Sequence, residues 1–177
     1  IIMVQIENEY DGYGRDVKYI ATLRDYLKEA GFEVPLFTSE MTWSLNPAVN
    51  KQLGLLRAIG FNNDPEGKFQ KLRTIQPDGP LFCSEYYSGW FDQYGQASHS
   101  EGNWTTNYIG GLAWMLDHRA SFNLYMVHGG TSFGFSAGAN GPPFRPTVTS
   151  YDYGAPITEA GWTTPKYHAI RDLLSKH

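Results

Sequence analysis

A single cysteine, Cys83, excludes an internal disulfide and any zinc site built on several thiolates. Long apolar runs are also missing: the stretches around Ile1 to Ile6 and Ser121 to Val127 fall far short of the ~20 residues that cross a bilayer. No membrane span is expected. Basic residues are few, with 14 Lys and Arg against 18 Asp and Glu, a net charge of −4, and no basic stripe. That balance argues against a nucleic-acid partner. The histidines (His99, His118, His128, His168, His177) lack H-x-H or H-x-x-x-H spacing, so no metal site is expected. There is no initiator Met and no signal-like leader, and residue 1 already lies in an apolar β-type run. The expectation is a chain that begins inside a domain.

What is present is 177 residues with 41% hydrophobic content, enough to bury a core of one ordinary domain. The pattern alternates strand and helix. An apolar strand (about Ile1 to Ile6) precedes a helix from about Asp16 to Ala30, with Val17, Ile20, Leu23, Leu27 and Ala30 at helical spacing. Val34 to Thr38 is the next strand, then a helix around Pro47 to Leu56 and a strand near Ala58 to Phe61. Asp64-Pro65 supplies a cap and first-turn proline for a helix carrying Phe69, Leu72 and Ile75. Strand Leu81 to Ser84, a long aromatic loop, a helix near Trp104 to Asp117 with Ile109, Leu112, Ala113 and Leu116 inward, and a strand at Phe122 to Val127 follow. A Gly/Pro-rich loop and a helix at about Pro165 to Leu174 complete the pattern.

Strict alternation means a parallel sheet and an α/β fold. The five strand–helix units suit the larger part of an eight-unit (β/α)8 barrel, or else a complete doubly wound sheet. Loops after strands are long, polar and aromatic, whereas those after helices are short. This asymmetry favours the TIM barrel, whose C-terminal rim carries the site.

Two carboxylates close apolar strand-like runs: Glu9 in Gln5-Ile6-Glu7-Asn8-Glu9-Tyr10, and Glu85 in Ser84-Glu85-Tyr86-Tyr87-Ser88-Gly89-Trp90. A lone glutamate is usually a solvated surface acid. Two delivered to one rim of a parallel sheet among aromatics are what glycosidic cleavage through a covalent sugar intermediate requires. Aromatic residues are 15% of the chain, and Tyr86, Tyr87, Trp90, Phe91 and Trp104 cluster around Glu85. Such faces stack on the C–H side of a pyranose.

A competing pattern is Gly130-Thr131-Ser132-Phe133-Gly134, a G-x-S-x-G elbow followed by Asp152 and His168 in the order of a serine hydrolase. An elbow must turn directly into a helix. The Gly/Pro-rich segment from Ser136 to Pro146 argues against one. Asn103-Trp104-Thr105 is a glycosylation triplet, meaningful only in a secretory pathway.

The Glu9 and Glu85 segments resemble the two signature segments of the family 35 glycoside hydrolases, the β-galactosidases. Asn123-Leu124-Tyr125-Met126 with Gly129-Gly130-Thr131, and Thr149-Ser150-Tyr151-Asp152-Tyr153, resemble two further segments, so the likeness runs in order along essentially the whole chain. The resemblance implies a TIM barrel of which residues 1–177 are the C-terminal part, about strands four to eight, within a single catalytic domain. It implies Glu9 as general acid/base and Glu85 as nucleophile. Asn8 would contact the sugar 2-hydroxyl, while Trp90, Tyr125, Tyr151 and Tyr153 would line the galactose pocket. Asp11 departs from the glycine that usually follows the tyrosine, and His128 sits before the double glycine. Both bear on loop shape more than on chemistry.

The expected activity is retaining release of terminal β-D-galactose from an oligosaccharide, polysaccharide or glycoconjugate, with no metal or organic cofactor. The different-class alternative is an inactive fragment or sugar-binding remnant, because the barrel strands that would precede this chain are required for a complete fold. A serine hydrolase using Ser132 ranks below both. The resemblance suggests a secreted, periplasmic or lysosomal protein; the residues themselves do not specify a compartment.

Overall fold

The computed structural model describes residues 1–99 and 105–177. Along the chain run β1 (Val4–Asn8), a 3-10 turn (Tyr10–Gly12), α1 (Val17–Glu29), β2 (Leu36–Met41), α2 (Pro47–Leu53), β3 (Leu56–Phe61) and α3 (Pro65–Arg73). They are followed by β4 (Phe82–Tyr87), α4 (Thr105–Asp117), β5 (Ser121–Tyr125), the short β6 (Ala139–Asn140) and β7 (Arg145–Pro146), and α5 (Pro165–Leu174). The glycosylation triplet and the Trp104 helix start fall largely outside the described residues.

The main sheet is parallel, in the order β1-β2-β3-β4-β5. A doubly wound sheet reverses its strand order at a switch point. This one never reverses, so the doubly wound alternative is set aside. A side-chain bond reinforces the point: Ser39 Oγ on β2 and Ser84 Oγ on β4 are 2.5 Å apart although β3 lies between their strands. In a flat sheet second-neighbour strands are about 9.5 Å apart, too far for two serines to bridge. The sheet is therefore strongly curled here, and side chains of alternate strands meet on its concave face, as barrel layers do.

Local chemistry sets the helix ends. Asp16 caps α1 by accepting from the Lys18 and Tyr19 N–H groups, Asp64 caps α3 from Gly67, and Thr164 caps α5 from Tyr167, with prolines in the first turns of α3 and α5. α1 buries Ile20, which clusters with Leu36, Val49 and Leu55. Ala30, expected inward, is the exposed residue that ends α1.

Several expected limits shift: β2 runs Leu36–Met41 rather than Val34 to Thr38, and α2 ends at Leu53, with Leu56 already opening β3. β1 lies at Val4–Asn8 rather than at Ile1 to Ile6, because it is defined by its partner: Val4 pairs with Leu36, and Ile1 and Ile2 are exposed. On α4 the buried stripe is Tyr108, Leu112 and Met115 rather than Ile109, Leu112, Ala113 and Leu116. Tyr108 stacks on Tyr86 with ring centroids 4.4 Å apart, and its hydroxyl donates to the Tyr86 carbonyl at 3.2 Å. That satisfied polar tip lets the large ring turn inward.

The chain divides into two compact units, Ile1–Glu85 with Asp117–Asn123, and Tyr86–Leu116 with Leu124–His177. In the first, β2 and β3 are almost wholly buried, and Phe61 packs edge-on against Phe69 of α3 at 5.2 Å. In the second, buried Tyr86, Tyr108, Leu112, Met115 and Ile170 supply apolar interior. No described helix is long and apolar enough to cross a membrane.

Candidate functional site

Glu9 is the first residue past β1, and β1 is irregular just before it. From Gln5 to Asn8 the chain takes three steps while its partners Phe37 to Ser39 take two, so one extra residue bulges. Bulges re-aim the residues beside them. Glu9 itself sits in the left-handed region at φ 55°, ψ 23°, a conformation that costs a non-glycine residue roughly 1–2 kcal/mol. Its N–H donates to the Ser39 carbonyl at 2.7 Å and its carbonyl accepts from Gly12 at 3.1 Å. Glu85 lies on β4, one residue past the Ser84 that bonds Ser39. Sequence reading placed Glu85 at the strand end; the ladder runs two residues further, through Tyr86 and Tyr87.

The structure couples these acids. Both belong to the first unit. Burial raises the Glu9 carboxyl above its ordinary value. Burial raises Glu85 as well, and the charge of Glu9 adds to it. Both effects disfavour the ionised form, and for Glu85 the neighbouring negative charge of Glu9 is part of the reason. Asn8, the last residue of β1, is exposed, and its Oδ1 accepts from Gln5 Nε2 at 2.9 Å.

Behind Glu9 lies a group of ionic residues that sequence reading missed. Arg57 on β3 and Glu40 on β2 are fully buried, and so is Asp11 in the 3-10 turn. Arg57 Nη2 donates to Asp11 Oδ2 and lies 3.4 Å from Glu40 Oε1, while the Asp11 N–H donates to Glu40 Oε2 at 3.0 Å. Burial above all pushes the Glu40 carboxyl up to about 7 from 4.5; Arg57 opposes this and Asp11 adds to it. Below 4.5 both folded and unfolded chains hold the proton, and Glu40 contributes nothing. Between 4.5 and about 7 only the folded chain holds it, so stability falls as pH rises; above that window the penalty is constant. A gap of this size corresponds to about 3 kcal/mol. Urea midpoints of the complete protein are expected to fall across this window, and Glu40→Gln to flatten the fall. An unchanged slope in the variant would contradict the assignment.

The second unit gathers the other predicted residues. Tyr153 is the hub: its ring centroid lies 5.9 Å from Trp90, 5.6 Å from Tyr125 and 5.2 Å from Tyr151. Tyr87 and Phe91 flank Trp90 at 5.7 and 5.1 Å. Tyr153 is itself left-handed at φ 65°, and a Cβ at Gly89 would collide with its carbonyl oxygen. Only glycine allows that approach. Nearby, Lys166 Nζ donates to the carbonyls of Ser88 at 2.7 Å and Gly154 at 2.5 Å, tying the segment after β4 to the one after Tyr153. Burial lowers this ammonium to about 8, and the charge of Asp152 opposes the drop. Glu159 braces the segment before Tyr151, its carboxylate accepting from Thr131 and Ser150, which holds it below the usual carboxylate range. Lys166 and Glu159 carried no sequence signal, since each reads as an ordinary surface charge.

The serine-hydrolase pattern does not assemble. The residues after Ser132 form turns and the β6–β7 hairpin, with no helix before Pro165. The Asp152 carboxylate accepts from the Glu159 N–H, and His168 faces Thr163 at 3.4 Å and the Tyr167 ring.

Along nearly its whole length the chain is similar to proteins named β-galactosidase or β-galactosidase-like. The chain is 42% identical over 181 residues to Beta-galactosidase-1-like protein of Mus musculus, covering 99% of this chain and 27% of that protein. It is 41% identical over 180 residues to Beta-galactosidase of Felis catus, covering 99% and 26%, and 38% identical over 184 residues to that of Xanthomonas manihotis, covering 99% and 30%. The chain thus spans between a quarter and a third of the length of these relatives. The family model described as glycosyl hydrolases family 35 matches residues 1–177 from end to end. With both acid segments and the whole strand–helix series inside that match, the chain belongs to family 35 of the glycosyl hydrolases.

Proposed function

We propose that residues 1–177 are the C-terminal part of a single (β/α)8 catalytic domain, with β1 to β5 as about strands four to eight. The complete protein then releases terminal β-D-galactose with retention of configuration. The observation that carries this reading is the presence of two partly buried carboxyls, Glu9 just past β1 and Glu85 on β4, in one compact unit of a family 35 chain.

The chemistry follows from holding one proton between two acids. Glu85, ionised, attacks the anomeric carbon as Glu9 protonates the departing glycosidic oxygen, so the C–O bond breaks and a galactosyl ester on Glu85 forms. Glu9, now a carboxylate, takes a proton from water, which attacks the anomeric carbon and frees Glu85. Retention requires roughly 5–5.5 Å between the carboxyls. Burial raises both carboxyls, which keeps a proton available near working pH, and the likeness of the two segments to the family signatures assigns the acid role to Glu9 and the nucleophile role to Glu85. Asn8 is assigned to the sugar 2-hydroxyl, and Trp90, Tyr125, Tyr151 and Tyr153 to the faces and hydroxyls of the galactose.

The test is mass spectrometry of the complete protein incubated with a 2-deoxy-2-fluoro-β-galactoside that traps glycosyl-enzyme intermediates. A galactosyl adduct on the peptide containing Glu85 is expected. No adduct from a protein that still cleaves galactosides would assign the nucleophile elsewhere. A second reading, a sugar-binding remnant, draws on β1 and β5 being the edges of the described sheet; galactose binding with neither turnover nor adduct would favour it.

A further inference from the structure

We propose that Asp11, Arg57 and Glu40 form a positioning network that holds Glu9 in the orientation from which it delivers its proton. The inference rests on the reading of Glu9 as acid/base.

Glu9 sits in the left-handed region, which non-glycine residues populate sparsely, and such a conformation persists where the surroundings over-determine it. Two anchors surround the left-handed residue. Ahead of it, the Glu9 N–H is held by Ser39 of β2 at 2.7 Å. Behind it the anchor is Asp11, held through three bonds: its N–H to Glu40 at 3.0 Å, its carboxylate to Arg57, and the same carboxylate to the Asn46 N–H at 2.8 Å. The side chains of Arg57, Asp11 and Glu40 are 0 to 1% exposed, so no solvent competes for these bonds. Arg57 is itself held at the backbone, its N–H donating to Gln76 Oε1 at 2.8 Å.

Stability alone does not call for such a group. Apolar side chains of similar volume are often as stabilising as a buried ion cluster, whereas directional ionic bonds specify one geometry. Here the geometry is imposed on residue 11, two residues from Glu9, by side chains from β2 and β3.

The experiment uses the complete protein carrying either Asp11→Asn or the apolar triple change Asp11→Ala, Glu40→Leu and Arg57→Met. Two substrates are compared. Methyl β-galactoside needs its leaving oxygen protonated; 2,4-dinitrophenyl β-galactoside does not. For the triple variant we expect a cooperative but lowered urea midpoint, because the Asp11 and Asn46 N–H groups lose their acceptors, a fall of about tenfold to a hundredfold in turnover of the methyl galactoside, and a formation rate of the galactosyl-enzyme from the dinitrophenyl substrate close to wild type. Equal losses on both substrates, or no loss on the methyl galactoside, would overturn the network's role. If the triple variant does not fold, Asp11→Asn carries the same comparison. Glu9→Gln run alongside separates the two failures: if it discriminates between the substrates and the network variants do not, only this inference falls. If Glu9→Gln does not discriminate, the acid/base reading falls and the inference with it.

Discussion

Glu85→Gln is expected to lower turnover of β-galactosides by the complete protein on the order of 10^5-fold, in line with losses seen when a covalent nucleophile is removed, while its unfolding midpoint stays near wild type. The amide has nearly the shape of the carboxylate but offers no anionic oxygen to the anomeric carbon, so no galactosyl ester forms. The raised Glu85 carboxyl bears on stability too. Burial and the charge of Glu9 both disfavour its ionised form, so a neutral amide relieves a strain rather than creating one. The two readouts should therefore separate. An assignment sharper than loss comes from Glu85→Gly with added azide and an activated β-galactoside. Azide entering on the vacated face displaces the leaving group directly and gives the α-galactosyl azide. Near-normal turnover in Glu85→Gln, or a β-azide from the glycine variant, would remove Glu85 from the nucleophile's place.

Glu9→Gln is expected to cost about 10²- to 10⁴-fold, the range of general acid–base catalysis, with the loss concentrated on poor leaving groups. An alkoxide cannot depart without the proton; a dinitrophenolate can. For the activated substrate the slow step is then expected to become release of the sugar, because the proposed base for water is gone with Glu9. Azide, which needs no base, should accelerate that step in Glu9→Gly and yield the β-galactosyl azide. Configuration of the azide thus distinguishes the two acids by role, and the same product from both variants would mean they are misassigned.

The two candidate acids stand out in the sequence because each glutamate sits in a short local pattern: an apolar run, then Asn8-Glu9-Tyr10 or Ser84-Glu85-Tyr86. Helix limits were legible for the same reason. Thr164 with Pro165, and Asp64 with Pro65, are local capping chemistry, and α5 runs from Pro165 to Leu174 as read. Where the determinant was a partner, the reading slipped. β1 extends through polar Gln5 and Asn8 because β2 pairs with them, and α4 turns Tyr108 inward because the Tyr86 carbonyl accepts its hydroxyl.

Residue type and spacing along the chain thus determined the strand–helix alternation, the two carboxylates and the aromatic supply, since each depends on neighbours within a few residues. Tertiary structure alone decided that Asp11, Glu40 and Arg57 meet in one buried cluster and that Lys166 caps the carbonyls of Ser88 and Gly154. Isolated charges in a sequence default to solvent. Only the pairing of distant segments creates a dry place where their Coulomb energy and hydrogen bonds outweigh the loss of water.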